Sequence, residues 1–351
     1  MSAPTLKQVA ELAGVSKATV SLALRNDVRI TLPVREKVQA AARKLDYRPN
    51  PLLAVHMAHL RTVQPPQWRA TIGFLAQLEK RQWHEDRYRP ANLAYAGATE
   101  RANALGYTLE IFWLGQPGMT GARMSRILTS RGVPGFVVAP WPRPGLGERL
   151  GLAWENFAAA TIGYTLWEPD IHRACHDNFS TMGLAFSELL RRGYRRIGFA
   201  TAAEDDDRVN HQWLARFLVG QTSLPPKGRV PPLLTREWNA EIFLRWMKSA
   251  RPDAIITTRG AIVTQWLGKA RIRVPEKVGV VTVYWRPDAP HCSGFYQNFE
   301  LLGAAAIDLV VAQLHRNERG LPAVPKVMLM PGAWREGSTL RPPPAAPPKT
   351  A

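Results

Sequence analysis

The sequence predicts an all-α helix-turn-helix headpiece followed by an α/β body of two doubly wound parallel-sheet lobes. Three observations predict it. Residues 4–48 carry apolar positions at helical spacing, broken by a Gly-containing turn. From Ala70 onward, short apolar strands alternate with amphipathic helices, the pattern of a parallel sheet covered on both faces. That alternation then runs a second time, as expected for 351 residues, too many for one small core.

In the headpiece, Thr5 is placed to cap a helix with Gln8 three residues on, and Leu6, Val9, Ala10 and Ala13 supply its apolar face. Gly14 ends it. Ser16 suits the N-cap of a second helix through Leu24, buried along Val20, Ala23 and Leu24. A third helix over about 32–45 presents Val34, Val38, Ala41, Ala42 and Leu45, with Pro33 tolerated in its first turn.

Composition narrows the function classes. A formal net charge of +18 favours a polyanionic partner. Residues 1–62 hold ten Lys/Arg and four Asp/Glu, leaving +6 there and +12 in the rest of the chain, an excess that headpiece contacts do not explain. Two cysteines, Cys175 and Cys292, are too few for a disulfide framework or a thiolate metal site, and Cys175 beside His176 reads as structural. No metal or cofactor is expected. No apolar run reaches bilayer length and the N-terminus lacks a leader pattern, so a cytoplasmic protein is expected. Dinucleotide, phosphate-loop, nucleophile-elbow and metal-ligand motifs are missing, which argues against an enzyme.

The run Thr5-Leu6-Lys7-Gln8-Val9-Ala10-Glu11-Leu12-Ala13-Gly14-Val15-Ser16-Lys17-Ala18-Thr19-Val20-Ser21 resembles the headpiece signature of the LacI/GalR family of bacterial regulators. Val34-Arg35-Glu36-Lys37-Val38 and Tyr47-Arg48-Pro49-Asn50 extend the match in register over nearly all of residues 4–50. The resemblance implies a transcription regulator, a repressor, acting as a homodimer on a near-palindromic operator in double-stranded DNA. In such modules the second helix enters the major groove N-terminus first. Lys17 then donates to guanine O6 or N7, and Ala18 and Leu22 meet thymine methyl groups. Thr5, Ser16, Thr19, Ser21, Asn26 and Thr31 suit phosphate oxygens, and Leu6, Arg25, Tyr47, Arg48 and Asn50 complete the expected DNA-binding set. Capping without DNA contact is the alternative for the hydroxyl residues.

The family's hinge helix maps onto residues 49–67, between a headpiece of residues 1–48 and a body of 68–341. Where the family pushes a Leu into the minor groove this chain has His56, with Leu53 or Met57 as substitute wedges. The alternative is a tether that never folds.

The body resembles the family's periplasmic-binding-protein-like fold, carried by Asp177-Asn178 and residues 278–341. Lobe 1 is expected over about 68–165 and 296–325, lobe 2 over about 166–295 and 326–341, and a disordered Pro-rich tail over 342–351. Ligands of such folds sit at strand C-terminal ends, where the lobes face each other. Loops following strands are rich in aromatics there: Trp83 with His84, Trp141, Tyr164, and Tyr284 with Trp285. Flat rings suit a sugar, and Arg143 or Arg208 supplies directed donors. With Asp177, Trp213 and Thr258 these form the expected effector site. The family's sugar binders place an Asp where this chain has Tyr284, and an Asn-Asp pair where it has Thr258-Arg259, so a sugar held in the standard manner is not expected.

Overall fold

The computed structural model describes residues 4–24, 27, 29–47, 70–85, 89–140 and 150–343. The expected hinge, 49–67, and the tail from 344 lie outside them. Three helices form the headpiece: α1 (Leu6–Ala13), α2 (Lys17–Leu24) and α3 (Leu32–Lys44). Thr5 and Gln8 make the reciprocal capping box at the start of α1, and Gly14 closes it at φ +61°, a left-handed conformation that a side chain resists. The core is small: Val9, Ala10 and Ala13 of α1 meet Val20 and Ala23 of α2 and Val38, Ala41 and Ala42 of α3.

The body alternates as predicted. Lobe 1 begins with β1 (Thr71–Ala76), α4 (Arg89–Ala104), β2 (Thr108–Trp113), α5 (Gly121–Ser130), β3 (Gly135–Val138), β4 (Ala158–Ile162) and β5 (His172–His176). The chain then crosses at Asp177 into α6 (Asn178–Arg191), β6 (Ile197–Ala202), the short α7 (Ala203–Asp207), α8 (Gln212–Thr222), β7 (Leu233–Thr235), α9 (Ala240–Ala250), β8 (Ala254–Thr257), α10 (Gly260–Lys269), β9 (Gly279–Thr282) and β10 (Ser293–Tyr296). It returns to lobe 1 for α11 (Phe299–Arg316) and β11 (Val327–Met330), and ends in lobe 2 with β12 (Ala333–Arg335).

The two sheets run β11-β5-β4-β3-β1-β2 and β12-β10-β9-β8-β6-β7. Every pairing is parallel except β10 with β12. Alternation along the strands feeds two cores per lobe. Ile72 and Phe74 of β1 face the α4–α11 side, and Leu75 faces the α5 side. In lobe 2, Ile256 and Val281 face α6 and α8 while Ile255 and Val280 face α9 and α10.

Two strands correct the expected lobe boundaries. His172–His176 pairs with β4 and Val327–Met330 pairs with β5, so both belong to lobe 1, past residue 165 and past residue 325. The polar sequence of β5 hid it. Its charged member is satisfied in the interior, Arg173 donating to the Leu166 carbonyl at 3.1 Å and to Asp170 at 2.7 Å. All three crossings leave β5, β10 and β11 at their C-terminal ends, so the C-terminal edges of the two sheets face each other. The Asp177 N–H bonds the Met330 carbonyl at 2.9 Å and Asn298 donates to the Pro331 carbonyl at 3.2 Å, tying the three crossings together.

Candidate nucleic-acid interface and interlobe cleft

Helical geometry splits α2 into two arcs. Val20 and Ala23 are fully buried, and the arc opposite them holds Lys17, Ala18, Ser21 and Leu22. Lys17 and Ala18 are exposed, and Leu22, half-buried, stays out of the headpiece core. Ser16 accepts the Thr19 N–H at 3.0 Å, and the two hydroxyls lie 2.9 Å apart, so both serve the helix start while facing outward at its positive end. Thr5 is committed to its capping box, with Gln8 on both its N–H and its hydroxyl. Thr31 precedes α3 with no side-chain cap bond and is exposed.

Two of the expected contact residues are packing residues first. Leu6 and Tyr47 are partly buried against the headpiece core, because α1 and the end of α3 need them to close a cluster made largely of Ala and Val. Arg25, Asn26, Arg48, Asn50, Leu53, His56 and Met57 lie outside the described residues. Sequence reasoning missed the turn before α3. There Arg29 donates to both carboxylate oxygens of Asp27 at 2.9 and 2.8 Å, which neutralises one cation beside α2.

The second site is the interlobe cleft. On lobe 1, Trp83 packs edge-on against Trp113 at 5.3 Å and Tyr95 at 5.8 Å, while its carbonyl accepts from Asn92 at 2.8 Å. His84 beside it is exposed. Tyr164 follows β4, half-buried, with the Arg173 guanidinium 5.9 Å from its ring. Burial raises its pKa, as does Cys175, against a hydrogen bond from Gln212 of lobe 2. Cys175 is pushed up to about 12 by burial, and burial takes His176 down to about 4, its Nε2 lying 2.8 Å from the Thr181 hydroxyl. Burial thus holds both side chains neutral. No group of three His, Cys, Asp or Glu among the described residues is arranged to hold a metal ion.

On lobe 2 an ion pair stands just past the C-terminal ends of β6 and β8. Asp205 receives Arg259 through Nε at 2.8 Å and Nη2 at 3.1 Å, together with the Thr258 hydroxyl at 2.6 Å; Thr258 also hydrogen-bonds Thr201. Burial pushes the Asp205 carboxyl up, but the Arg259 and Thr258 hydrogen bonds outweigh it and hold the group below its ordinary range. Arg208, half-buried at the end of α7, lies in the field of Asp205 and Tyr284; burial lowers its pKa. Tyr284 stands edge-on to Phe299 at 6.0 Å, and Trp285 edge-on to Tyr296 at 6.0 Å with the Arg335 guanidinium 5.9 Å away.

Two expected effector residues are corrected. Trp213 is 4% exposed and packs in the lobe 2 core with Phe217, because α8 turns it inward. Asp177 is the N-cap of α6, its carboxylate accepting the Ser180 N–H at 2.8 Å. Trp141 and Arg143 lie outside the described residues. Beside the expected Trp285 the structure brings up Gln77, Arg89 and Asn92, which the sequence reading passed over. Gln77 Oε1, Arg89 Nε, Asn92 Oδ1 and Trp285 Nε1 are buried with no protein partner. Gln77 follows β1 directly, so the strand-end rule would have found it.

The fold and its two sites define a class: a helix-turn-helix headpiece on a two-lobed binding-protein body. Residues 5–50 match the lacI family of bacterial regulatory proteins and residues 186–340 match a periplasmic binding protein-like domain. The matched segments are thus a lacI-family headpiece and a periplasmic binding protein-like domain carried on one chain. The chain is 29% identical to the HTH-type transcriptional regulator MalR of Staphylococcus xylosus over 196 residues, 56% of this chain and 55% of the relative. The chain thus spans about half the length of the curated relatives it matches, which are described as regulators. Among solved structures, the lac repressor dimer bound to operator and the anti-inducer ONPF superposes with a TM-score of 0.57 at 21% identity, covering 97% of this chain and 100% of that one. The transcriptional regulator CelR–cellobiose complex does so at 0.54 and 19%, covering 96% and 99%. At these identities the two structures speak for the fold. Among the described residues no helix is long and apolar enough to cross a membrane.

Proposed function

We propose that this chain is a sequence-specific DNA-binding transcription regulator, a repressor working as a homodimer, with a small effector in the interlobe cleft. The observation that carries the reading is the split of α2: Val20 and Ala23 anchor it, and Lys17, Ala18 and Leu22 are left on the arc that a major groove would meet. Lys17→Ala is expected to relax discrimination at one operator position at a cost of about 1–3 kcal/mol, with little change on random duplex. Fluorescence anisotropy on selected and scrambled sites checks this. Equal losses on both would reject base reading by Lys17.

The effector we propose is a carbohydrate or carbohydrate derivative. Two lines support this: rings near the strand ends, and the unpartnered polar atoms of Gln77, Arg89, Asn92 and Trp285. A thermal-shift screen against sugars, uronates and oligosaccharides tests it, since a ligand at a hundred times its Kd adds about 2.7 kcal/mol to stability. The shift is expected to vanish in Arg208→Gln. A second reading, regulation without a small effector, is favoured by one observation: Asp205, Arg259, Thr258 and Thr201 already satisfy one another. A flat screen would favour it.

A further inference from the structure

We infer that the outer pole of lobe 2, the edge at the strand N-termini, is a second duplex-binding surface that grips DNA through its phosphates, separate from the headpiece. The inference rests in part on the regulator reading, because a duplex held by the headpiece brings neighbouring DNA to a high local concentration.

Residues 191–196, 227–229, 248–253 and 269–277 contain twelve Lys/Arg and two Asp/Glu. Counting also Glu188 and Glu336, which hold Arg191 and Arg192, the region keeps +8, most of the +12 found beyond the headpiece and hinge. Hydrogen bonds gather these segments at one place. Arg196 donates to the carbonyls of Arg251 at 3.0 Å, Ala250 at 2.6 Å and Lys227. Asp253 accepts the backbone N–H groups of Arg195 and Arg196, and its carbonyl accepts from Gly279. The loop from Arg273 to Val278 leads into β9 beside it.

Helix ends alone do not explain the excess. Helices of a doubly wound lobe run back to the strand N-terminal edge, where their negative ends favour cations. Lobe 1 obeys the same rule and neutralises much of it: Arg101 pairs with Asp308 at 2.7 Å, Arg316 with Glu318 at 2.6 Å, and Arg131 with Glu110, which leaves Arg319 and Lys326 exposed without an ion-pair partner among the described residues. On lobe 2, Lys227, Arg251, Arg271 and Arg273 are exposed, and none has an ion-pair partner among the described residues. Arg273 and Lys277 sit in the loop beyond the end of α10.

The chemistry selects phosphate over a protein face. None of the exposed large apolar side chains lies in these four segments, so the surface has no apolar anchor of the kind protein interfaces use. It offers spaced cations and little else, which suits a polyanion of regular charge. Its position is also distinctive. The chain enters lobe 1 at Ala70, on the strand N-terminal edge of that lobe, and the C-terminal edges of both sheets face inward. The basic pole therefore lies at the far end of the body, and the DNA that it takes is a second segment.

The test uses the full chain bound to a bead-tethered random-sequence duplex, then offered a second, labelled duplex at low salt. The wild type is expected to capture it with a steep salt dependence. The variant Lys227→Glu/Arg273→Glu/Lys277→Glu is expected to capture roughly tenfold less or lower, its salt slope reduced by about one for each phosphate it no longer neutralises, with first-duplex affinity and thermal midpoint unchanged. The corresponding triple Gln variant should fall between the two. Capture that survives charge reversal would overturn the proposal, because a second headpiece would then be the bridge. Retention of polyglutamate in place of duplex would overturn it as well. If the headpiece reading fails, the pole alone still holds duplex, and the same labelled duplex titrated in solution separates wild type from the Glu variant. Identical curves there would overturn the pole by itself.

Discussion

Gly303→Ala is expected to destabilise lobe 1 by about 3 kcal/mol or more, the upper end of what inserting one methyl into a closed contact costs. A Cβ at Gly303 would stand 1.9 Å from the Ala94 carbonyl oxygen, and one at Gly97 would stand 2.0 Å from the Glu300 carbonyl oxygen. The two contacts are reciprocal: α4 and α11 meet backbone to backbone, each through a glycine of one against the other. No side chain is there to rotate aside, so the helices themselves must separate. That movement strips Ala94, Ala98, Ala305 and Ala306 of the close packing that fills this face. Urea denaturation would show the midpoint fall. Gly97→Ala should cost a similar amount, and the double variant less than the sum, because helices already spread by one methyl accommodate the next. A loss for Gly303→Ala within about 0.5 kcal/mol, the range of ordinary surface changes, would show that the interface is not closed.

Arg192→Leu is expected to destabilise lobe 2 by about 3–5 kcal/mol, the cost of removing one partner from a buried ionic cluster. The Arg192 side chain is 2% exposed. It donates to Glu188 at 2.7 Å, to Glu336 at 2.9 and 2.8 Å, and to the Arg341 carbonyl at 2.7 Å, joining the end of α6 to the segment after β12. Glu188 is held below its ordinary 4.5 chiefly by Arg191, with Arg192 adding to it. For Glu336 burial pulls upward, but hydrogen bonds from Arg192 and Trp334 win and hold it low as well. A carboxyl whose folded pKa is depressed contributes stability in full above its unfolded value and loses it as pH falls through the folded value. The wild type should therefore lose part of this contribution below about pH 4.5, and Arg192→Leu should lose less over the same range, Glu336 having no guanidinium to give up. Thermal midpoints measured from pH 7 to pH 3 for the two proteins check the sign. Parallel curves would show that Arg192 acts through packing alone.

Much of this molecule is legible in its residues. The capping pair Thr5 and Gln8, the stop at Gly14 and the Ser16 start are local chemistry, and each appears where the spacing puts it. Apolar strands such as Ile197–Ala202 and Ala254–Thr257 are also visible, since nothing polar interrupts them. Strands that depend on distant partners were hidden. His172–His176 looks polar until Leu166 and Asp170 close around Arg173, and Ala333–Arg335 exists only because β10 offers it an edge. The cleft shows the same division. Tyr284 and Trp285 were found because they follow a strand, whereas Trp213 was misread because its orientation depends on how α8 rolls onto the sheet. Arg259 and Asp205 lie 54 residues apart, and no local pattern joins them.

The sequence by itself determined the three-helix headpiece, the outward arc of its second helix, and the doubly wound character of the body, because caps, turns and periodicity act over a few residues. Only the tertiary structure decided that two late strands complete lobe 1, that an Asp–Arg pair occupies the lobe 2 side of the cleft, and that the basic excess collects on one pole. Those outcomes depend on which distant groups desolvate and satisfy one another, and burial of that kind is a property of the assembled fold.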